Sequence, residues 1–489
     1  MGAIIDKAKH DAAMTAWDYI GKNPEANIPK ILDTIEKLDT KGSLAVHIAS
    51  IRRVMNDPDS GRRKMVLSLF EEIDPAQLRV LFETLAVNTM LISAPTRAKA
   101  REQYDCNIPW AILMDLTSAC NLKCTGCWAA EYGHTLNLTL EELDDIIEQA
   151  EALGTYMFLY SGGEPLVRKK DIITLCERHP EAFFTSFTNG TLIDEDFCQE
   201  IARVKNFVPA ISVEGFEEET DFRRGKGTFA ATQRAMELLR KHHLLFGISC
   251  CYTRKNAEFI GSEEYIDAMV QWGAKFCWLF TYMPIGKDAV PELMATAEQR
   301  EYMYHQIRAF RKTKPIFTMD FWNDGEYVNG CLAGGRCYIH INAGGDIEPC
   351  AFMHYSDTNI RTGTLLDSYR NPLFQQYRAN QPFNKNMLRP YPVLRRYGQS
   401  EGSVSLLNID RKISSQLARS KVDKSNICGI IFPAGRVMNA GYKTERKNEN
   451  RFNNRRSRRI ASQRKRKHTA CHEYADDSAD YSEESVHLF

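Results

Sequence analysis

From residue 110 onward, short apolar runs alternate with longer amphipathic stretches. The runs cover residues 111–116, 156–160, 183–188, 208–213, 246–252 and 276–282. Helical periodicity occupies 139–153, 170–178, 194–204, 228–242, 262–272 and 297–311 between and after them. Thr139 reads as the N-cap of the first helix, with Glu142 as its capping-box partner. Six strand-then-helix units argue for a parallel sheet with helices packed outside it. They are too few for a closed eight-fold barrel, so the expected fold is α/β, a partial (βα)6 TIM-type barrel with ligands at the C-terminal ends of its strands.

Outside that core the pattern changes. In residues 1–105, Ile28, Ile31, Leu32, Ile35 and Leu38 share one helical face, as do Leu78, Val80, Leu81, Leu85 and Met90. This predicts an N-terminal helical domain. Residues 315–394 are richer in Gly, Pro and Asn and hold three cysteines, which predicts a small appended domain after a core spanning 106–314. Beyond Leu394 core-forming periodicity stops, so 395–489 is expected to be an anomalous, solvated tail.

Charge sharpens that last boundary. The 63 Lys and Arg balance 63 Asp and Glu, but from Arg395 onward 20 residues are basic and 11 acidic. The body is therefore acidic and the tail basic. Residues 443–467 carry 12 Lys or Arg, yet few aromatics accompany them and six acids follow in 473–484. No nucleic-acid partner is expected. The abrupt change is also what a divergent or out-of-frame end would produce, which resequencing across codon 394 would decide. No apolar stretch is long enough for a membrane span, and the N-terminus shows neither a signal-peptide core nor a myristoylation motif, since Asp6 stands where Ser or Thr is needed. The expected location is the cytoplasm, where the 14 cysteines would serve as ligands or buried thiols rather than disulfides.

The strongest chemical signal is Thr117-Ser-Ala-Cys120-Asn-Leu-Lys-Cys124-Thr-Gly-Cys127-Trp128, directly after the first strand. Three thiolates in one loop can wrap one face of a metal centre. A zinc site would want a fourth protein ligand, and the nearest histidine is His134. Three ligands on a four-iron cubane would leave one iron open for a small molecule.

Cys-x3-Cys-x2-Cys after strand one of a (βα)6 chain resembles the radical S-adenosylmethionine (SAM) superfamily. The resemblance implies a [4Fe–4S] cluster on Cys120, Cys124 and Cys127 that binds SAM at its open iron. Reductive cleavage would then give a 5′-deoxyadenosyl radical that abstracts hydrogen from substrate, with the protein positioning and shielding that chemistry. Ser161-Gly162-Gly163-Glu164-Pro165 follows strand two and is similar to the motif that holds the SAM amino group. Ser212 and Arg224, twelve residues apart, match positions implied to hold the SAM ribose or carboxylate, Arg224 as a bidentate clamp. Glu214 and Thr220 replace the usual Asp and His. The family's aromatic before the third cysteine is absent, with Gly126 in its place and Trp128 just after, the candidate for the adenine side.

Cys331, Cys337 and Cys350, with Gly345 between, resemble the first half of a SPASM or twitch domain, which implies one auxiliary [4Fe–4S] cluster in a small C-terminal iron–sulfur domain. The segments around Gly344-Gly345 read as a hairpin bringing Cys337 and Cys350 towards each other. A second closely spaced cysteine set does not follow. The auxiliary-cluster resemblance implies modification of a peptide or protein, with chemistry on a lipid, tetrapyrrole or other small metabolite as the alternative and a non-catalytic iron–sulfur electron carrier or scaffold as the rival. A flavodoxin or ferredoxin donor is implied as partner. No general acid or base is marked by the sequence.

Overall fold

The computed structural model describes residues 2–39, 42, 44–286 and 288–388. The tail from 395, with Cys428 and Cys471, lies outside the described residues. The chain divides into two compact units, residues 1–323 with 332–381, and residues 324–331 with 382–489. The described part of the second unit is a pair of turns: Gly330 N donates to Gly325 O at 2.7 Å, and Gly325 packs directly on the backbone of Met387.

The first unit is built on a nine-stranded sheet. Its strands are β1 (Ala111–Thr117), β2 (Met157–Gly162), β3 (Phe183–Thr188), β4 (Phe207–Ser212), β5 (Gly247–Tyr252), β6 (Phe276–Thr281), β7 (Phe317–Asp320), β8 (Tyr338–Ile341) and β9 (Ile347–Glu348). The order is β7-β6-β5-β4-β3-β2-β1-β8-β9. Every pairing is parallel except the β8–β9 hairpin, so the six apolar runs form a consecutive parallel array and the sheet is an open, partial barrel. The strand-then-helix units ended at β6. The structure adds β7 beside β6, and it seats β8, the first strand of the expected hairpin, on the far side of β1, where Ala111 pairs with Tyr338 and Met114 with Ile341.

The helix Leu140–Ala152 starts as expected, with Thr139 and Glu142 closing a reciprocal capping box. Its Leu143, Ile146, Ile147 and Ala150 are buried, the apolar stripe that seats it against the sheet. At the N-terminal mouth of the barrel, Ala111, Met157, Phe183 and Val208 from four strands pack with Leu81, and Leu85, Phe276 and Trp278 join them. Leu81 ends the helix Pro75–Leu81, and Leu85 lies in the wide-turned π-helical segment Phe82–Ile92 that continues it. The N-terminal helices therefore plug the bottom of the barrel with the face that periodicity assigned to Leu78, Leu81 and Leu85. Alternation along β1 then carries one face of the strand from Ala111 at the plugged end to Asp115 and Thr117 at the top, where polar side chains replace apolar ones.

Candidate functional site

Four strand ends converge at the open mouth. The cysteine loop leaves β1 tethered on both sides: Thr117 Oγ1 accepts from Ala119 N at 3.0 Å, and Ser118 exchanges hydrogen bonds with Leu136. Cys120, Cys124 and Cys127 are all part-buried. Burial pushes the Cys120 thiol up to about 11, a hydrogen bond from Leu122 N opposes this, and Glu164, Cys124 and Cys127 add to it. Cys127 is likewise raised, by burial and then Cys124, against Arg223 and Arg224. The three sulfurs thus lie in one another's field beside two guanidiniums. A metal centre must displace protons to bind here, so its affinity will rise with pH. Among the described residues, no three His, Cys, Asp or Glu side chains are gathered closely enough to hold a single metal ion.

The Gly162-Gly163 turn after β2 is zipped onto this loop. Gly163 N donates to Thr117 O and Glu164 N to Ala119 O, both at 2.8 Å. A Cβ at 163 would collide with the Ala119 carbonyl, and one at 162, where φ is +105°, would lie 2.5 Å from Thr117 O. The glycines serve this close backbone approach. Glu164 is fully buried. Its Oε1 accepts from Thr188 Oγ1 at 2.6 Å and Leu166 N at 3.0 Å, and its Oε2 from Asn189 N at 2.7 Å. Burial raises this carboxyl while those hydrogen bonds oppose the rise. Thr188-Asn189-Gly190 also reaches the cysteine loop, since Asn189 Nδ2 donates to Asn121 Oδ1 at 2.8 Å.

Ser212 ends β4, buried and in register with Ser249 of β5. Beyond it stands a feature that motif matching missed. Arg224 donates to Glu214 Oε1 through Nε at 2.9 Å and Nη2 at 2.5 Å, and Arg223 Nη1 reaches the same oxygen at 2.5 Å. Cys251 N donates to Oε2 at 2.8 Å. Against the upward push of burial, the two arginines hold the Glu214 carboxyl below its ordinary range. Arg223 O accepts from Thr125 N at 2.8 Å, which fixes this ion cluster to the cysteine loop.

Gly126, where an aromatic was missing from the sequence, is covered from another strand. Its φ is +67°, and a Cβ there would collide with Tyr282, just past β6. Tyr282 accepts from Val290 N at 2.9 Å and has the Arg223 guanidinium 5.9 Å from its ring centroid. Trp128, by contrast, packs towards the C-terminal hairpin, 5.6 Å from the His340 ring and 6.1 Å from Phe352 and from His354.

That hairpin forms as expected, with His340 opposite Glu348 and Ile341 opposite Ile347. Cys337 precedes β8 and Cys350 follows β9. The Cys350 sulfur accepts from Tyr338 OH at 2.9 Å and Phe352 N at 3.4 Å. Cys331 belongs to the second unit.

The radical SAM superfamily profile matches residues 114–254, which contain the cysteine loop, the Gly162–Glu164 turn, Ser212 and Arg224. Residues 114–254 are thus a radical SAM domain. The domain and its enzyme relatives make the chain an enzyme. It is similar to the AdoMet-dependent heme synthase of Methanosarcina barkeri, 24% identical over 54% of this chain and 83% of the relative. It is similar also to the mycofactocin maturase MftC of Mycolicibacterium smegmatis, 29% identical over 51% of this chain and 67% of the relative. The PqqA peptide cyclase of Granulibacter bethesdensis is 26% identical over 55% of this chain and 76% of the relative. Radical SAM domains take SAM and a [4Fe–4S] cluster, and the donor set fits that group: three mutually interacting thiols, two arginines facing them, and no closer fourth thiol or imidazole in the loop.

Proposed function

We propose that Cys120, Cys124 and Cys127 hold a [4Fe–4S] cluster, and that the chain uses it to cleave SAM and abstract hydrogen from a peptide or protein substrate. Bound there, the cluster supplies the electron for cleavage and an open iron for the SAM amino and carboxylate groups. The observation that carries this reading is the convergence, at one barrel mouth, of the thiol loop with the Gly162–Glu164 turn and the Arg223–Arg224–Glu214 cluster. The chain's own residues do the positioning. Gly162, Gly163 and Glu164 set the backbone beside the thiols, Ser212 is assigned to the SAM carboxylate or ribose, Arg224 to the carboxylate, and Trp128 to the adenine side. Cys331, Cys337 and Cys350 are assigned to one auxiliary cluster, and a flavodoxin or ferredoxin to electron supply. The domain division at 105, 314 and 394 is proposed on the same footing.

The peptide reading is supported by the cysteine pattern of 331–350 and by the likeness to MftC and a peptide cyclase. A second reading, radical chemistry on a tetrapyrrole, is favoured by the likeness to a heme synthase of which the chain covers 83%. Anaerobic reconstitution, then dithionite and SAM, should yield 5′-deoxyadenosine. A loaded cluster that yields none refutes the enzyme reading. Deuterium carried from a labelled peptide or a labelled iron–tetrapyrrole into 5′-deoxyadenosine separates the two substrate classes.

A further inference from the structure

Three charged or ionisable side chains are buried together at the seam between β1 and the β8–β9 hairpin. His340 is 0% exposed, Asp115 1% and Glu348 2%. His340 Nδ1 lies 2.8 Å from Glu348 Oε2, and Nε2 lies 3.0 Å from Asp115 Oδ2. Glu348 is further held by Tyr132 OH, which donates to Oε2 at 2.8 Å, and by Asn342 Nδ2, which donates to Oε1 at 3.1 Å. Neither Asp115 oxygen has another hydrogen-bond donor, so the His340 imidazole is this carboxyl's partner among the described residues. At such separations each N···O contact needs a proton between the atoms. Two contacts need two protons, one more than a neutral imidazole carries.

The bridge ties together three segments that matter to the site. Asp115 is on the strand that runs into the cysteine loop, and its side chain packs against Gly162, where a Cβ would lie 2.8 Å from Asp115 Cβ. Tyr132 ends the short helix Trp128–Tyr132 that begins directly after Cys127. Glu348 ends β9, two residues before Cys350. The aromatic rings close around the same point: Trp128 meets His340 edge-on at 5.6 Å, and Tyr132 lies 4.8 Å from the His354 ring.

We propose that His340 is a positioning residue: bridging Asp115 and Glu348, it fixes the Trp128–Tyr132 segment against the hairpin and so sets the SAM-facing side of the cysteine loop. The inference rests on the proposed SAM cleavage. Burying two carboxylates side by side is strongly unfavourable unless something neutralises them. Burial raises the Asp115 carboxyl and His340 opposes the rise, and among the described residues His340 is the cationic side chain that contacts both. Consistently, Asp115 and Glu348 push the His340 pKa up to about 10 against the lowering effect of burial. Of the other titratable neighbours, burial and Glu348 raise the Tyr132 hydroxyl, while His354 is held low by burial and His340 against the opposing pull of Glu348.

The test counts protons. In His340→Gln one amide has a single nitrogen with which to donate, so one carboxylate loses its partner. In the double variant His340→Gln with Asp115→Asn, the Asn amide donates to the Gln oxygen and the Gln amide to Glu348, which restores both contacts. Glu348→Gln keeps both contacts with a neutral imidazole. With reconstituted holoenzyme, the expected result is a KM for SAM raised at least fivefold in H340Q while kcat per loaded cluster stays within about twofold. The double variant should recover most of that loss, and E348Q should stay within twofold of wild type. A residue that served stability alone would lower iron content and yield without moving KM. If H340Q gives no folded protein, recovery of a folded, cluster-loaded chain in the double variant supports the bridge, and a double variant that is equally unfolded, or a fivefold rise of KM in either folded variant, overturns it. Where all three variants fold, equal KM in all of them, or no recovery in the double variant, also overturns it. A wild-type chain with a loaded cluster and no 5′-deoxyadenosine refutes instead the SAM-cleavage reading on which the proposal rests.

Discussion

Replacing Glu214 by Gln preserves its shape and removes its charge, which makes it a sharp probe of the ion cluster behind the cysteine loop. Glu214 is fully buried, and the Arg223 and Arg224 side chains are only 10% and 14% exposed. Both guanidiniums contact one oxygen of that carboxylate, and the other oxygen accepts the Cys251 amide. Glutamine can keep the Cys251 contact through its oxygen, but its NH2 would face guanidinium donors. Removing one partner of a buried ion pair costs about 3–5 kcal/mol, because a charge remains without compensation, and here two guanidiniums share the loss. The expected result is a loss of about 3–5 kcal/mol in urea unfolding of the metal-free chain, followed by far-UV circular dichroism with m-values compared.

The pH dependence follows from the sign of the shift. The folded-state pKa of Glu214 lies below its ordinary value of 4.5. Its ionic contribution is therefore complete above that value and is lost as pH falls through the folded-state pKa. The gap between wild type and Glu214→Gln should stay constant from pH 8 to about 5 and narrow below about 4.5. A gap under 1 kcal/mol at pH 7, or one that widens in acid, refutes the assignment of Glu214 as the buried counter-ion.

Three further outcomes are expected. Cys124→Ala should abolish 5′-deoxyadenosine formation after reconstitution, and retained cleavage would refute the cluster ligation. Iron analysis of the triple variant lacking Cys120, Cys124 and Cys127 should find about one auxiliary cluster, and loss of all iron would remove the second site. Leu81→Ala should lower stability by about 2–5 kcal/mol through a cavity under the barrel, with SAM cleavage per folded molecule unchanged. Unaltered stability there would show that the helical plug does not seal the mouth.

The barrel was readable because its evidence is local. Each of β1–β6 is a short, mainly apolar run, and each following helix announces itself by a 3.6-residue stripe or a cap such as Thr139. The strand β7 escaped because a four-residue segment carries too little periodicity, and the hairpin was read without its place in the sheet because β8 finds its partner more than 200 residues away on β1. The thiols and the Gly162–Glu164 turn were visible as motifs. Asp115, His340 and Glu348 were not, although a signal was present for two: Asp115 and His340 are ionisable residues inside otherwise apolar strands, which is costly unless a partner waits in the fold. No spacing rule joins residues 115, 340 and 348. Tyr282 likewise covers Gly126 only because β6 ends above the cysteine loop, a relation that topology creates and a linear motif omits.

Several groups assigned to SAM already have partners in this structure, and that constrains how the cofactor would bind. Glu164 accepts three hydrogen bonds from its own chain, and Arg224 spends two of its nitrogens on Glu214. An incoming ammonium or carboxylate therefore gains only the difference between its contacts and those it displaces, as with any exchange of hydrogen bonds. The asymmetry of the arginine pair eases that exchange. If Arg224 turns to a ligand, Arg223 and the Cys251 amide still hold Glu214, so no buried charge is stranded. If Arg223 turned instead, its backbone link to Thr125 would carry the disturbance into the cysteine loop itself. The pair thus divides naturally into an anchor, Arg223, and an exchangeable clamp, Arg224. The duplication of arginine at this turn would let one bind a ligand without unfolding the site around the other.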